Sequence, residues 1–459
     1  MGFLVLFCLV LFIFLYKRRK NLKREGITYL YRTSIGLKII DSVSKKYPRF
    51  LNFLGYVIIV FGYTAMAVML YLLGKTLMIF FQSPEFVRFV KIPPLAPLIP
   101  YLPQLFNADY LPMFYFTYWI IVIAVVGIVH EFSHGIFARL YKIRVKSTGF
   151  AFFGPFVGAF VEPDEKQMGK AKKKKQLAIL AAGTFSNAVL MVLFFLLLWL
   201  FFLSAYSASG IIFNTYTYNF IDKTSITSIG ENVSINFDGG LNLTEVKAGN
   251  KTYFIPQDII SQLETTNSSQ VFAYEDAPAL RAGLTGVITA IDGKKINQAS
   301  ELRTYLASHK PGDSISITTF DTETKENKNY EVVLGKNPLN ESLPYVGIAT
   351  LLPQTSILGK IKSAFMFFRD PNVYYAPKFS PNLVEFIYYL IWWLAFINLS
   401  VALANMLPAW IFDGGRFFYI SVLAIVKKEK IAKIALKVMN YAILAVFLLL
   451  MILWVYSFL

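Results

Sequence analysis

The stretch VVGIVHEFSHGIFARL places His130, Glu131 and His134 inside an otherwise apolar run. On a helix, residues four apart lie one above the other, so His130 and His134 can hold one metal ion while Glu131 projects beside it. Two imidazoles on zinc, a bound water brought to a pKa of about 7 and a glutamate to take its proton are the parts needed to hydrolyse a peptide bond. The plainer reading is polar side chains satisfied by neighbouring helices. It is disfavoured because each ionisable group near a bilayer centre costs about 2.5–3.5 kcal/mol even on insertion scales. Only 3 histidines occur in the chain, and two stand here at metal spacing. The other, His309 in LASHKPGD, reads as a loop residue without a role.

A catalytic zinc site takes three protein ligands and a water, so two histidines leave it one short. The late stretch NLSVALANMLPAWIFDGGRFF offers a carboxylate among helix breakers, Asp413, followed by Gly414 and Gly415 and preceded by Pro408. Along a helix, His134 lies about 7 Å and His130 about 13 Å from Arg139, the next charge, and Asp413 lies roughly 15–20 Å from the basic KKEK run. The depths are comparable. In a soluble chain DGG alone would be a tight turn, but in an apolar run opposite an H-E-x-x-H it reads as the third ligand.

A membrane has to position these residues. Of 459 residues, 56% are hydrophobic and 17% aromatic, and the mean hydropathy is +0.51, which marks an integral membrane protein. The net charge of +17 does not point to nucleic acid, because the lysines and arginines cluster beside apolar runs as the positive-inside rule requires. Cys8 is the only cysteine, so no disulfide framework and no cysteine zinc site exist. The N-terminus has its charges after the apolar stretch, as a retained anchor does, and Leu6 breaks the myristoylation pattern.

Runs near the length a bilayer needs, about 20 residues, fall at Gly2–Tyr16, Leu51–Phe81, Met113–Ala138, Leu177–Leu203, Leu383–Leu407 and Ile434–Leu459. Threading these six spans puts KRRKNLKR, RLYKIRVK, KKKK and KKEK on one side, the cytoplasm, and leaves Gln82–Pro112 and Ser204–Pro381 outside. The proline-rich KIPPLAPLIPYLPQL reads as an interfacial loop. The large external segment gains Ser, Thr, Asn and Gly and holds strand-like SISITTF and NYEVVL. Sequons at Asn232, Asn242, Asn250, Asn267 and Asn340 suit an external surface, or chance in such a composition.

The paired motifs resemble those of the intramembrane zinc metalloproteases of the site-2 protease type, the M50-type family. There an H-E-x-x-H pairs with N-x-x-P-x-x-x-x-D-G, and NMLPAWIFDGG fits with Asn405, Pro408, Asp413 and Gly414 in register. The resemblance implies zinc (Zn2+) held by His130, His134 and Asp413, and Glu131 as the general base. It extends to GTFSN, with Gly183 and Asn187, and makes Asn187 and Asn405 candidates for orienting the substrate backbone. TGFAFFGPFVGAFVEPDE reads as a hairpin, and similar proteins place there a re-entrant β element that pairs with an unwound substrate. DAPALRAGLTGVITAIDGKKINQASELRTYL is similar to the PDZ pattern, although TG replaces the usual GD and the 209–273 stretch exceeds one PDZ strand.

The expected fold is a polytopic α-helical membrane protein of about six transmembrane helices with an inserted extracytoplasmic α+β PDZ-like domain. Its expected parts are 1–112, the first helices and proline-rich loop; 113–203, the core with the H-E-x-x-H helix, hairpin and second core helix; 204–350, the PDZ-like domain; and 351–459, an interfacial linker, the third core helix with DGG and the last span. The lone cysteine and compact core point to a prokaryotic, archaeal source. The expected partners are the lipid bilayer and single-span membrane-protein substrates already cut by another protease, with no nucleic acid. The expected activity is hydrolysis within transmembrane segments. A non-catalytic scaffold holding membrane proteins through the PDZ-like domain is the alternative. A metal transporter is a third, disfavoured because the ligands converge on one site.

Overall fold

The computed structural model describes residues 2–26, 28–94, 96–108, 111–153, 156–235, 241–261, 263, 269–350 and 368–458. The sequon at Asn267 and residues 351–367 of the expected linker lie outside them. The chain divides into two compact units, Met1–Phe201 with Glu385–Leu459, and Phe202–Val384.

The first unit is helical around one small sheet. Its longer helices are α1 Gly2–Arg18, α2 Leu37–Lys46, α3 Pro48–Gln82, α4 Phe116–Leu140, α5 Lys173–Ala205, α6 Pro381–Ala404, α7 Asp413–Val426 and α8 Glu429–Tyr456. Five of them, α3, α4, α5, α6 and α8, are long and apolar enough to cross a membrane, so the chain is a membrane protein. The first expected span, α1, has 17 residues. At 1.5 Å per residue it reaches about 26 Å, short of the roughly 30 Å hydrocarbon core.

The expected third core span, Leu383–Leu407 with a DGG extension, is corrected by the structure: α6 stops at Ala404 and Asp413 opens a separate helix, α7. The cause is Pro408. It has no N–H for the carbonyl of Ala404, four residues back, and its ring would collide with that carbonyl. The chain instead makes tight turns, with Met406 N–H on Leu403 O and Leu407 N–H on Ala404 O, then folds back so that Gly414 N–H reaches Asn405 O at 2.7 Å. A Cβ on Gly414 would stand 2.4 Å from the Met406 backbone, and one on Gly415 would stand 2.3 Å from Ala409 O. The two glycines are what allow this fold-back.

The sheet contains more than the expected hairpin. β3 Val145–Phe153 and β4 Phe156–Pro163 pair antiparallel, and β1 Leu22–Glu25 and β2 Thr28–Thr33 add to the β3 side, giving the order β1-β2-β3-β4. The expected juxtamembrane run KRRKNLKR therefore ends in a strand. β4 is left as an edge. Ile40 of α2, Ile58 and Met66 of α3, Phe137 of α4, Ile179 and Ala181 of α5 and Phe417 of α7 form one buried cluster.

The second unit is rich in sheet. β6 Tyr218–Asp222, β7 Ile226–Ile235, β8 Leu241–Ala248, β9 Lys251–Pro256 and β10 Gln270–Glu275 form a sheet in the order β6-β10-β9-β8-β7. β5 Tyr206–Ile211, β11 Val287–Ile291, β12 Ser314–Phe320, β13 Asn327–Val333 and β14 Val373–Pro377 build a second sheet in the order β13-β12-β11-β5-β14. β12 alternates exposed or half-buried residues with buried Ile315, Ile317 and Thr319, the period-2 pattern of a strand with one face on a core. Leu280, Leu284 and Leu302, the last from a helix at Ala299–Leu306, join that core.

Gly62 of α3 tests how tightly the first unit is packed. A Cβ there would meet Ala181 Cβ and the Phe417 ring at 3.0 Å, whereas a Cβ on Gly74 of the same helix meets nothing within 4 Å. Gly62→Leu is expected to destabilise the protein by about 1–3 kcal/mol in SDS-titrated unfolding, and Gly74→Leu to leave the midpoint unchanged.

Candidate metal centre

Helix α4 carries His130, Glu131 and His134, and α7 brings Asp413 to them from 283 residues along the chain. His130 Nε2 and His134 Nε2 each lie 3.2 Å from Asp413 Oδ2, and the two nitrogens are 3.1 Å apart. Metal–ligand bonds of about 2.0–2.1 Å in a tetrahedral site put ligand atoms about 3.3 Å apart. The triangle fits that geometry. His130 is buried and His134 and Asp413 are half-buried.

The remaining ring nitrogens explain why these atoms act as ligands. His134 Nδ1 lies 2.7 Å from Ile179 O, a carbonyl that can only accept, so Nδ1 carries the proton and Nε2 the lone pair. His130 Nδ1 lies 3.1 Å from the Asn187 carboxamide nitrogen position, and the Asn187 oxygen is buried without a hydrogen-bond partner among the described residues. Carboxamide oxygen and nitrogen are assigned by their partners. Turning the amide gives that oxygen the His130 Nδ1–H and leaves the second Nε2 lone pair facing the first. Two lone pairs and a carboxylate oxygen then meet at one point, an arrangement that a divalent cation relieves.

One face of α5 sets up this geometry. Ile179, Gly183 and Asn187 follow at four-residue spacing and so share a face. Ile179 orients one imidazole, Asn187 orients the other, and Gly183 makes room for both. A Cβ on Gly183 would stand 2.5 Å from His134 Nε2 and 2.7 Å from His130 Nε2. GTFSN suggests Gly183 and Asn187, but not that the glycine is a steric requirement. Asn187, expected to orient the substrate backbone, is fully buried with its carboxamide beside His130 Nδ1. Asn405 is not drawn into the cluster; its main-chain carbonyl holds Gly414 N–H beside Asp413.

Glu131 sits between the two histidines in sequence on the same helix. Its Oε2 accepts the Val161 N–H of β4 at 3.0 Å. Because N–H direction alternates along a strand, Val161, Ala159 and Val157 turn their N–H groups outward from β3. The same stretch of β4 borders an apolar cavity of about 270 Å³ lined by Phe7 of α1, Trp119 and Ile123 of α4, and Val157 and Ala159. A carboxylate, a metal triad and an open strand edge thus share one region of the first unit.

The sequence model of peptidase family M50 matches residues 118–451. No curated protein matches the chain.

Two substitutions separate fit from orientation. Gly183→Ala is expected to drop metal content, read by elemental mass spectrometry, from near one per chain to a small fraction. Asn187→Ala keeps both ligands but frees the His130 ring, and is expected to weaken metal affinity roughly 10- to 100-fold in competition with a chromogenic chelator.

Proposed function

The chain belongs to peptidase family M50, the site-2 protease family, and from that premise we propose that it is an intramembrane zinc endopeptidase. It hydrolyses peptide bonds within transmembrane segments of single-span membrane proteins that another protease has already trimmed, as in regulated intramembrane proteolysis. The observation that carries the reading is the convergence of His130, His134 and Asp413 within the same unit as Glu131 and the β4 edge. A full ligand set with an intact base argues against a scaffold that only holds its clients.

When bound, zinc polarises the scissile carbonyl and lowers the pKa of a water to about 7. The chain's own residues do the rest. Asn187 and Ile179 keep both Nε2 atoms facing the ion. Glu131 Oε accepts the proton of the attacking water and returns it to the leaving amide nitrogen. A transmembrane helix has its carbonyls tied into its own hydrogen bonds, so it must unwind before one of them can be attacked. The outward N–H groups of β4 replace the helical bonds that are lost, which makes strand addition the means of unwinding. Asn405, half-buried near Asp413, is a candidate for a further contact with the substrate backbone.

In this reading the basic clusters face the cytoplasm and the second unit lies outside as a PDZ-like element with the Ala299–Leu306 helix along its sheet. The reading is supported by the charge pattern and by the resemblance of DAPALRAGLTGVITAIDGKK to PDZ sequences. The second unit filters or holds the trimmed ends of substrates.

Glu131→Gln separates the base from the ligands. Cleavage of a transmembrane substrate in proteoliposomes is expected to fall below detection while zinc stays near one per chain. Unaltered cleavage would sink the mechanism, and so would an intact protein that takes up no zinc.

A further inference from the structure

We propose that a polar cavity at the basic end of α4 is a binding site for a phosphate headgroup, supplied by an anionic phospholipid. The cavity, of about 620 Å³, is bounded by Asp41 and Lys45 of α2, Asn52 of α3, Arg139 of α4, and Lys142 and Arg144 of the turn that follows. Four cations and one carboxylate line it. Asp41 is already engaged, its Oδ1 lying 2.9 Å from Arg139 Nε. Lys45, Lys142 and Arg144 have no ion-pair partner among the described residues, so three cationic side chains border one cavity without a counter-charge.

The turn that presents them is fixed at both ends. Lys142 N–H reaches Arg139 O and Ile143 N–H reaches Ala138 O, both at 2.9 Å, closing the end of α4 with Lys142 in the left-handed region at φ 64°. Arg144 N–H donates to Gln167 Oε1 at 2.8 Å. Charge required only by the positive-inside rule needs no such convergence, since any juxtamembrane position satisfies it. Here four cations from three segments border one concave site.

The source is argued from the surroundings. The cavity closes the end of α4, one of the helices long and apolar enough to cross a membrane, the level at which anionic headgroups lie. Arg139 is one helical turn and a residue beyond His134, so a headgroup held here clamps α2 to the end of the helix that carries the metal ligands. This site stands independently of the proposed chemistry, and its test does not read proteolysis.

The full-length protein is examined by native mass spectrometry after mild delipidation, with dioleoyl phosphatidylglycerol or dioleoyl phosphatidylcholine added back. Wild type is expected to retain one phosphatidylglycerol per chain, roughly tenfold or more in preference to phosphatidylcholine. Lys142→Gln with Arg144→Gln is expected to weaken retention roughly 10- to 30-fold, at the usual contribution of a basic residue near an anionic surface. Lys142→Arg with Arg144→Lys should restore it. Lys20→Gln with Lys23→Gln removes the same charge elsewhere on the basic side and should change retention less than roughly threefold. An equal loss in that control, or no preference for phosphatidylglycerol, overturns the site. Displacement of the lipid by millimolar inorganic phosphate overturns the lipid source and assigns the cavity to a soluble anion.

Discussion

The first unit is organised around three atoms that could not otherwise share a buried space: two imidazole lone pairs and a carboxylate oxygen, each within 3.2 Å of the others. In water each would be solvated separately. Inside a membrane protein every polar group needs a partner supplied by the fold, and an unpaired one costs several kcal/mol. Three acceptors facing one point solve that problem only around a cation. The neighbouring structure then serves to keep them there when the cation is absent.

That requirement explains features that look unrelated in the sequence. Pro408 ends α6 early, and Gly414 and Gly415 let the chain turn back on its own backbone, so that Asp413 begins α7 at the depth of the histidines. A continuous α6 would run Asp413 on past Ala404 by nine residues, about 13 Å. Gly183 gives up a side chain so that two rings can stand against α5, while Ile179 and Asn187, one turn to either side, fix which nitrogen of each ring faces inward. Each of these choices weakens helix or packing locally. Together they hold the donor atoms in position before any ion arrives.

What could be read from the sequence was what depends on local spacing or on chemical anomaly. His130 and His134 share a helix, so their common face follows from the four-residue interval alone, and Asp413 stands out as a carboxylate in an apolar run. The hairpin at β3 and β4 was legible from its aromatic and glycine pattern. The strands β1 and β2 were not: they are short and strongly charged at one end, β1 pairs only with β2, and the other partner of β2, β3, lies more than a hundred residues away, with Thr148 Oγ1 reaching Thr33 O across a separation of 115. The early end of α6 was available from Pro408 and the carbonyl four residues before it, but apolar continuity suggested a longer helix. The role of Gly183 could not be read at all, because it exists only where α4 and α5 meet.

The last link is between the base and the strand edge. An edge strand near apolar surface leaves N–H groups unpaired, and such an edge is tolerated only if something covers it. In the resting chain Glu131 covers Val161 N–H, while Val157 and Ala159 border the apolar cavity beside α1 and α4. Glu131 is therefore held by the same row of donors that an incoming extended peptide would use. Under the proposed function, a peptide that paired along β4 and took Val161 N–H would release the carboxylate. A helical segment, with its own backbone bonds intact, offers no acceptor to that N–H and leaves Glu131 tied. Under the proposed function, unwinding of the substrate and freeing of the base would then be coupled through one N–H group.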